Sequence, residues 1–96
     1  MSIKTTITES IKTSKFIGIS INSDGLSGKI NGTYNGVQPH FKLEWEMGKL
    51  SVIFYAEGKW VDSTYLNIPS FYKEGQFTKR AFEDALLNRA GYTFRF

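Results

Sequence analysis

The segment from His40 to Glu57 constrains the fold more than any other part of the chain. Apolar and polar residues alternate on both sides of Gly48, a period of two that is typical of strands with one buried face. The Gly48-Lys49 dipeptide suits a two-residue hairpin turn, in which glycine supplies the positive φ at the first central position. This turn predicts four cross-strand pairs on one buried face: Met47 with Leu50, Trp45 with Val52, Leu43 with Phe54, and Phe41 with Ala56.

Further strands are predicted on either side of this central hairpin. Three more turns are expected at glycine-containing dipeptides: Asp24-Gly25, Asn35-Gly36 and Gly58-Lys59. The first of these joins residues 15–22 to residues 26–34, with Ile19 opposite Ile30. After the last, residues 60–68 pair with the second strand of the central hairpin, with Val61 opposite Ala56 and Tyr65 near the inward-facing Val52.

The N-terminal residues 2–13 fit two kinds of structure. Ile3, Ile7 and Ile11 recur every four residues, as on one face of a helix. The odd-numbered positions also alternate as in a strand, and threonine and isoleucine favour strands. A strand is therefore predicted here, and the helix stays open as the alternative.

A helix is predicted near the C-terminus, from Lys79 to Ala90. Thr78 suits its N-cap, and Phe77 and Phe82 are spaced as a hydrophobic staple. Residues 92–96 alternate again and are predicted to form a last short strand.

Together these elements predict an α+β fold in a single domain that spans residues 1–96. We expect an antiparallel β-meander of about five to six strands, one C-terminal helix packed on the sheet and a short terminal strand. The hydrophobic share of 41% and the aromatic share of 16% suffice for one core in a chain of 96 residues.

Composition excludes several classes of protein. The chain contains no cysteine, which excludes disulfides, thiolate catalysis and cysteine-based metal sites. The N-terminus lacks the apolar region of a signal peptide, and no window reaches the ~18 consecutive apolar residues of a membrane span. We therefore expect a cytoplasmic protein that makes no membrane contact.

Catalytic and cofactor-binding patterns are missing. His40 is the one histidine, and no nucleophile or orienting partner lies near it in the sequence. Glu44 and Glu46 project from the same strand face, where they are interpreted as solubilising residues. The glycines do not have the spacing of a phosphate-binding loop. We predict no catalytic, metal or cofactor-binding residues, and no enzymatic activity.

The outward face of the central hairpin is the best candidate for an interaction surface. Tyr55, Ile53 and Trp60 are expected to form a patch with lysines around it, and a loop over residues 71–76 is expected to add two exposed or half-buried aromatics. The alternative is that the helix or the N-terminal segment covers this face. The predicted partner-binding residues are Lys42, Lys49, Ile53, Tyr55, Lys59, Trp60, Phe71 and Tyr72.

The order of three strands and a helix, with Gly58-Lys59-Trp60 ahead of the third strand, resembles the outline of AP2-type DNA-binding domains over about half of the chain. The resemblance implies DNA binding through the sheet. The sequence departs from that pattern at Glu44, Glu46 and Asp62, which lie where such a domain needs cations that contact DNA.

The charge pattern favours a protein partner over a nucleic acid. The 12 lysines and arginines exceed the 9 aspartates and glutamates by only 3, and they do not form a run. We predict a small non-catalytic binding module, an adaptor or an inhibitor of the kind that phages and mobile elements encode. Binding of single-stranded or duplex nucleic acid through a lysine and aromatic surface is the alternative, and homo-oligomers through edge strands are possible.

Overall fold

The structure is a computed structural model, and it describes residues 2–88. Its elements in chain order are α1 (Ile3–Thr13), β1 (Ile19–Ile21), β2 (Ser27–Ile30), β3 (His40–Glu46), β4 (Lys49–Ala56), β5 (Lys59–Leu66), α2 (Ile68–Phe71), β6 (Tyr72–Lys73), β7 (Gln76–Phe77) and α3 (Lys79–Asn88). Strands β1 to β5 form one antiparallel sheet in sequential order, and β6 and β7 form a separate hairpin. The predicted α+β meander is thus confirmed, while the predicted terminal strand at 92–96 lies outside the described residues.

The turn of the central hairpin lies one residue earlier than predicted. Met47 and Gly48 occupy it with φ values of 49° and 77°, the two positive angles of a type I′ turn, whose twist matches that of the flanking strands. The predicted turn at Gly48-Lys49 and the pairs derived from it are therefore wrong. The observed inward pairs are Phe41 with Phe54, Leu43 with Val52 and Trp45 with Leu50. Because the register differs by two residues, the inner face is still the predicted one, except that Met47 is 94% exposed.

The same turn geometry recurs along the chain. Positive φ at both central positions occurs at Asn35-Gly36, Met47-Gly48, Glu57-Gly58 and Glu74-Gly75. Asn35-Gly36 is the predicted turn, whereas the predicted Gly58-Lys59 turn is wrong by one residue. Residues 71–76 do not form the predicted loop, because they comprise the end of α2 and most of the β6–β7 hairpin.

Residues 2–13 contain a helix, so the predicted strand is wrong. The Ser2 hydroxyl caps α1 by accepting from the Thr5 N–H at 3.2 Å. Ile7 and Ile11 are fully buried, and several hydroxyls donate to carbonyls one turn back. Docking of this apolar stripe on the core outweighs the strand preference of the individual residues.

The core lies between the inner face of the sheet and the helices α1 and α3. Its buried apolar residues are Ile7, Ile11, Ile19, Ile30, Phe41, Leu43, Leu50, Val52, Phe54, Leu66, Phe71, Phe82 and Leu86. Ile19 lies opposite Ile30, as predicted. The rings of Phe77 and Phe82 lie 5.4 Å apart, which confirms the predicted staple contact. A carboxylate oxygen of Glu83 in α3 also accepts from the Gly18 N–H at 2.9 Å.

Candidate functional site

The second face of the sheet, here called the outer face, is defined by the outward side chains of β1 to β5. Their alternation with the buried residues fixes the set: Ser20, Ser27, Lys29, His40, Lys42, Glu44, Glu46, Lys49, Ser51, Ile53, Tyr55, Trp60, Ser63 and Tyr65. Ser51 is buried, and the other thirteen are exposed or half-buried. Helices α1 and α3 pack on the inner face instead, so the alternative, that the helix or the N-terminal segment covers the outer face, is wrong.

One end of the outer face carries an aromatic and aliphatic patch. Tyr55 lies opposite His40 on β3 and opposite Trp60 on β5, and Lys42 lies opposite Ile53. Trp60 is 62% exposed, whereas Ile53 and Tyr55 are half-buried. Four of the predicted partner-binding residues are therefore neighbours on one surface.

A β-bulge in β5 lets Trp60 and Tyr65, five positions apart, lie on the same face. Leu66, Thr64 and Asp62 lie opposite inward residues of β4, and strict alternation would turn Trp60 inward as well. The pairing shifts by one residue between Phe54 and Tyr55, so Trp60 faces outward beside Tyr55. A bulge changes the face that later residues occupy, because it adds one unpaired residue to one strand.

The other end of the outer face carries Tyr65, which the sequence prediction turned toward the core. Tyr65 lies opposite Ser51 and is 50% exposed. The Lys49 amine lies 5.8 Å from the centroid of its ring, at cation–π distance. Lys49 therefore belongs with Tyr65, roughly 15 Å along the strand from Trp60. The misplaced Gly58-Lys59 turn does not explain this error, because moving the turn by one residue changes the register by two and preserves the face. The bulge, which the sequence does not mark, turns Tyr65 outward.

Three of the predicted partner-binding residues lie elsewhere. Lys59 pairs with Ala56 beside the turn, and the alternation of the strand turns it away from the outer face. The expectation that Phe71 lies at the surface is wrong: it is fully buried, with its ring 5.4 Å from that of Phe82. Tyr72 is half-buried against the core in the β6–β7 hairpin.

The charges of the outer face nearly balance. It carries three lysines and two glutamates, and the Lys42 amine lies 3.3 Å from a Glu44 carboxylate oxygen. Within residues 2–88, no group of three histidine, aspartate or glutamate side chains is placed to hold a metal ion. The chemistry that this face offers is therefore aromatic contact, hydrogen bonding and weak ion pairing.

No helix in the described part of the chain is long and apolar enough to cross a membrane. Comparison of the sequence and the structure with protein-family models, curated proteins and solved structures finds no match.

Proposed function

We propose that this chain is a non-catalytic module that binds another protein through the outer face. The observation that carries the proposal is the exposure of Trp60 and Tyr65, 62% and 50%, on a sheet whose opposite face packs against the helices. Tryptophan and tyrosine are enriched among the residues that dominate binding energy at protein interfaces. Large aromatics left exposed together on one face favour a binding role over a purely structural one.

The charge of the face supports a protein partner. Proteins that bind nucleic acid through a sheet combine stacking aromatics with a clearly basic surface, because contacts with phosphates supply much of the affinity. Here two glutamates lie among three lysines, and the pair Lys42 and Glu44 is partly self-neutralised. A protein interface tolerates this mixture, since its rim is polar and its centre is aromatic.

The size of the face bears on the kind of complex. Eight residues along β4 and β5 span about 26 Å, and five strands span about 19 Å, so the face offers roughly 500 Å². A typical stable interface uses about 800 Å² of each partner. A partner that binds tightly must therefore contact surface beyond the outer face.

Site-specific photo-crosslinking in the cells that produce the protein tests this function. A benzoylphenylalanine side chain is placed at Trp60 or at Tyr65, and a matched control carries it at the exposed Lys73 of β6. We expect both outer-face positions to give an adduct with the same protein and the control position to give none. Equal labelling from all three positions would contradict the proposal.

Titration of a fluorescent oligonucleotide at two salt concentrations tests the nucleic-acid alternative. A protein-binding module should show no binding that weakens steeply with salt. Micromolar affinity at low salt that falls about tenfold or more on raising the salt from 50 to 200 mM, and that is lost in Trp60→Ala, would replace the proposed function with nucleic-acid binding.

A further inference from the structure

Strand β3 extends beyond its neighbour β2. The pairing of the two strands ends at Ser27 and Lys42, and the Leu43 N–H donates to the Leu26 carbonyl at 2.6 Å. The Leu26 N–H does not complete this pair, because it donates to a carboxylate oxygen of Asp24 at 2.8 Å. The β1–β2 turn thus draws the chain away from β3 and leaves the Leu43 carbonyl without a partner in β2.

The next backbone groups of β3 point the same way. Residues at alternate positions direct their N–H and C=O groups to the same neighbouring strand, so Trp45 follows Leu43 toward the β2 side. Glu44, which lies between them and opposite Ser51, directs its N–H and C=O groups toward β4 instead. Within residues 2–88, no strand runs beside the Leu43 C=O, the Trp45 N–H and the Trp45 C=O. We call these three groups and the concavity beside them the β3 notch.

The concavity has a volume of about 710 Å³ and lies where the outer face meets the β1–β2 turn and the start of α1. Some of its charged side chains already have partners among the described residues, and one does not. Glu44 contacts Lys42, and Asp24 accepts from the N–H groups of Leu26 and Ser27. Lys4 makes no ion pair with any residue that the structure describes, so its ammonium is available to an incoming carboxylate.

The long edge of the sheet differs from the β3 notch. On β5 the Ser63 N–H points away from β4, and the neighbouring Asp62 carboxylate accepts it at 2.8 Å. The β5 bulge also disrupts the regular spacing that an added strand requires. Both features discourage strand addition, and the β3 notch has neither of them.

We propose that the β3 notch binds an extended segment of a partner protein that carries an acidic side chain. An extended backbone presents donors and acceptors at the spacing that Leu43 and Trp45 require, which is the basis of recognition by strand addition. The Lys4 ammonium selects the carboxylate. This inference goes beyond the outer face, although His40, Lys42 and Tyr55 line both surfaces, so one partner can contact the two together.

Selection of a phage-displayed random octapeptide library on the folded protein, with a binding constant measured for each enriched peptide, tests this proposal. We expect enriched peptides to alternate β-branched residues and to share an aspartate or glutamate at one position. Methylating alternate backbone nitrogens of a selected peptide should abolish binding, because those N–H groups bond to β3. The Trp45 amide resonance should shift on binding.

Charge reversal supplies the matched variants. Lys4→Glu should weaken binding of the selected acidic peptide about tenfold, which corresponds to replacing a surface attraction by a repulsion. Lys15→Glu, an equal change at an exposed lysine beyond α1, should leave binding unchanged. Circular dichroism and the unfolding midpoint report whether each variant is folded.

Any of the following results would overturn the proposal. No enriched peptide binds, backbone methylation leaves peptide binding unchanged, Lys4→Glu and Lys15→Glu weaken binding equally, or the Trp45 amide resonance shifts on raising the protein concentration alone. The last would mean that a second copy occupies the edge. Peptides whose binding is lost in Trp60→Ala but kept in Lys4→Glu would overturn it as well, because they belong to the outer face. Failure of peptide binding at the notch leaves the crosslinking test of the outer face unaffected.

Discussion

The sharpest stability prediction concerns Phe82, the centre of the aromatic cluster that joins α3 to the rest of the core. Its side chain is fully buried, and its ring centroid lies 5.4 Å from those of Phe71 and Phe77 and 5.7 Å from that of Phe16. Removing a buried phenylalanine side chain forfeits about 1.5–3 kcal/mol of transfer free energy and leaves a cavity, for a total of about 3–5 kcal/mol. Phe82→Ala should therefore lose about a third or more of the stability of a domain with a total near 10 kcal/mol.

Urea unfolding followed by tryptophan fluorescence measures the effect. With a slope of about 1–2 kcal/mol per molar urea, the midpoint should fall by at least 1.5 M. Phe77→Ala is the matched control, because Phe77 is only half-buried, and it should cost less than half as much. If Phe82→Ala does not fold, Phe82→Leu should, with a loss near 1.5 kcal/mol. A loss below about 1 kcal/mol in Phe82→Ala, or an equal loss in the control, would refute this account of the core.

Three further predictions concern single positions, each measured by the free energy of unfolding. Glu57→Asn should raise it by about 0.5–1 kcal/mol, since Glu57 has φ of 54° in a turn that favours asparagine; a lower value would contradict the turn assignment. Gly28→Ala should lower the free energy of unfolding by about 1–3 kcal/mol, because an added methyl would collide with the Ser20 carbonyl and lie 2.9 Å from the Phe41 ring. An unchanged unfolding midpoint would show that the sheet relaxes freely around Gly28. Trp45→Phe should change the free energy of unfolding by less than about 1 kcal/mol. The buried indole N–H lacks an acceptor within the described residues, so removing this N–H offsets the lost contact area. A loss of about 3 kcal/mol would show that the N–H is bonded.

The sequence predicted those features that depend on alternation alone. The buried face of the central hairpin survived an error in the position of its turn, because a shift of two residues preserves the face. The contact between Phe77 and Phe82 was predictable for the same kind of reason, since helix geometry fixes which residues meet near an N-terminus.

What the sequence did not predict depends on contacts between distant segments. Ile7 and Ile11 fit a helix or a strand equally well, and docking on the core decides in favour of the helix. Phe71 was expected at the surface, but the β6–β7 hairpin folds beside it and buries it. The outward position of Trp60 was predicted, whereas that of Tyr65 was not, because it depends on a bulge that has no marker in the sequence.

The most direct test of the central claim is the affinity of the Trp60→Ala and Tyr65→Ala double variant for the protein that crosslinks to the outer face. Two aromatic anchors worth about 2 kcal/mol each should together give a loss of about a thousandfold. Because both side chains are largely exposed, the unfolding midpoint should stay close to that of the parent chain. Binding within about threefold of the parent would contradict the assignment of the outer face as the surface through which this protein acts.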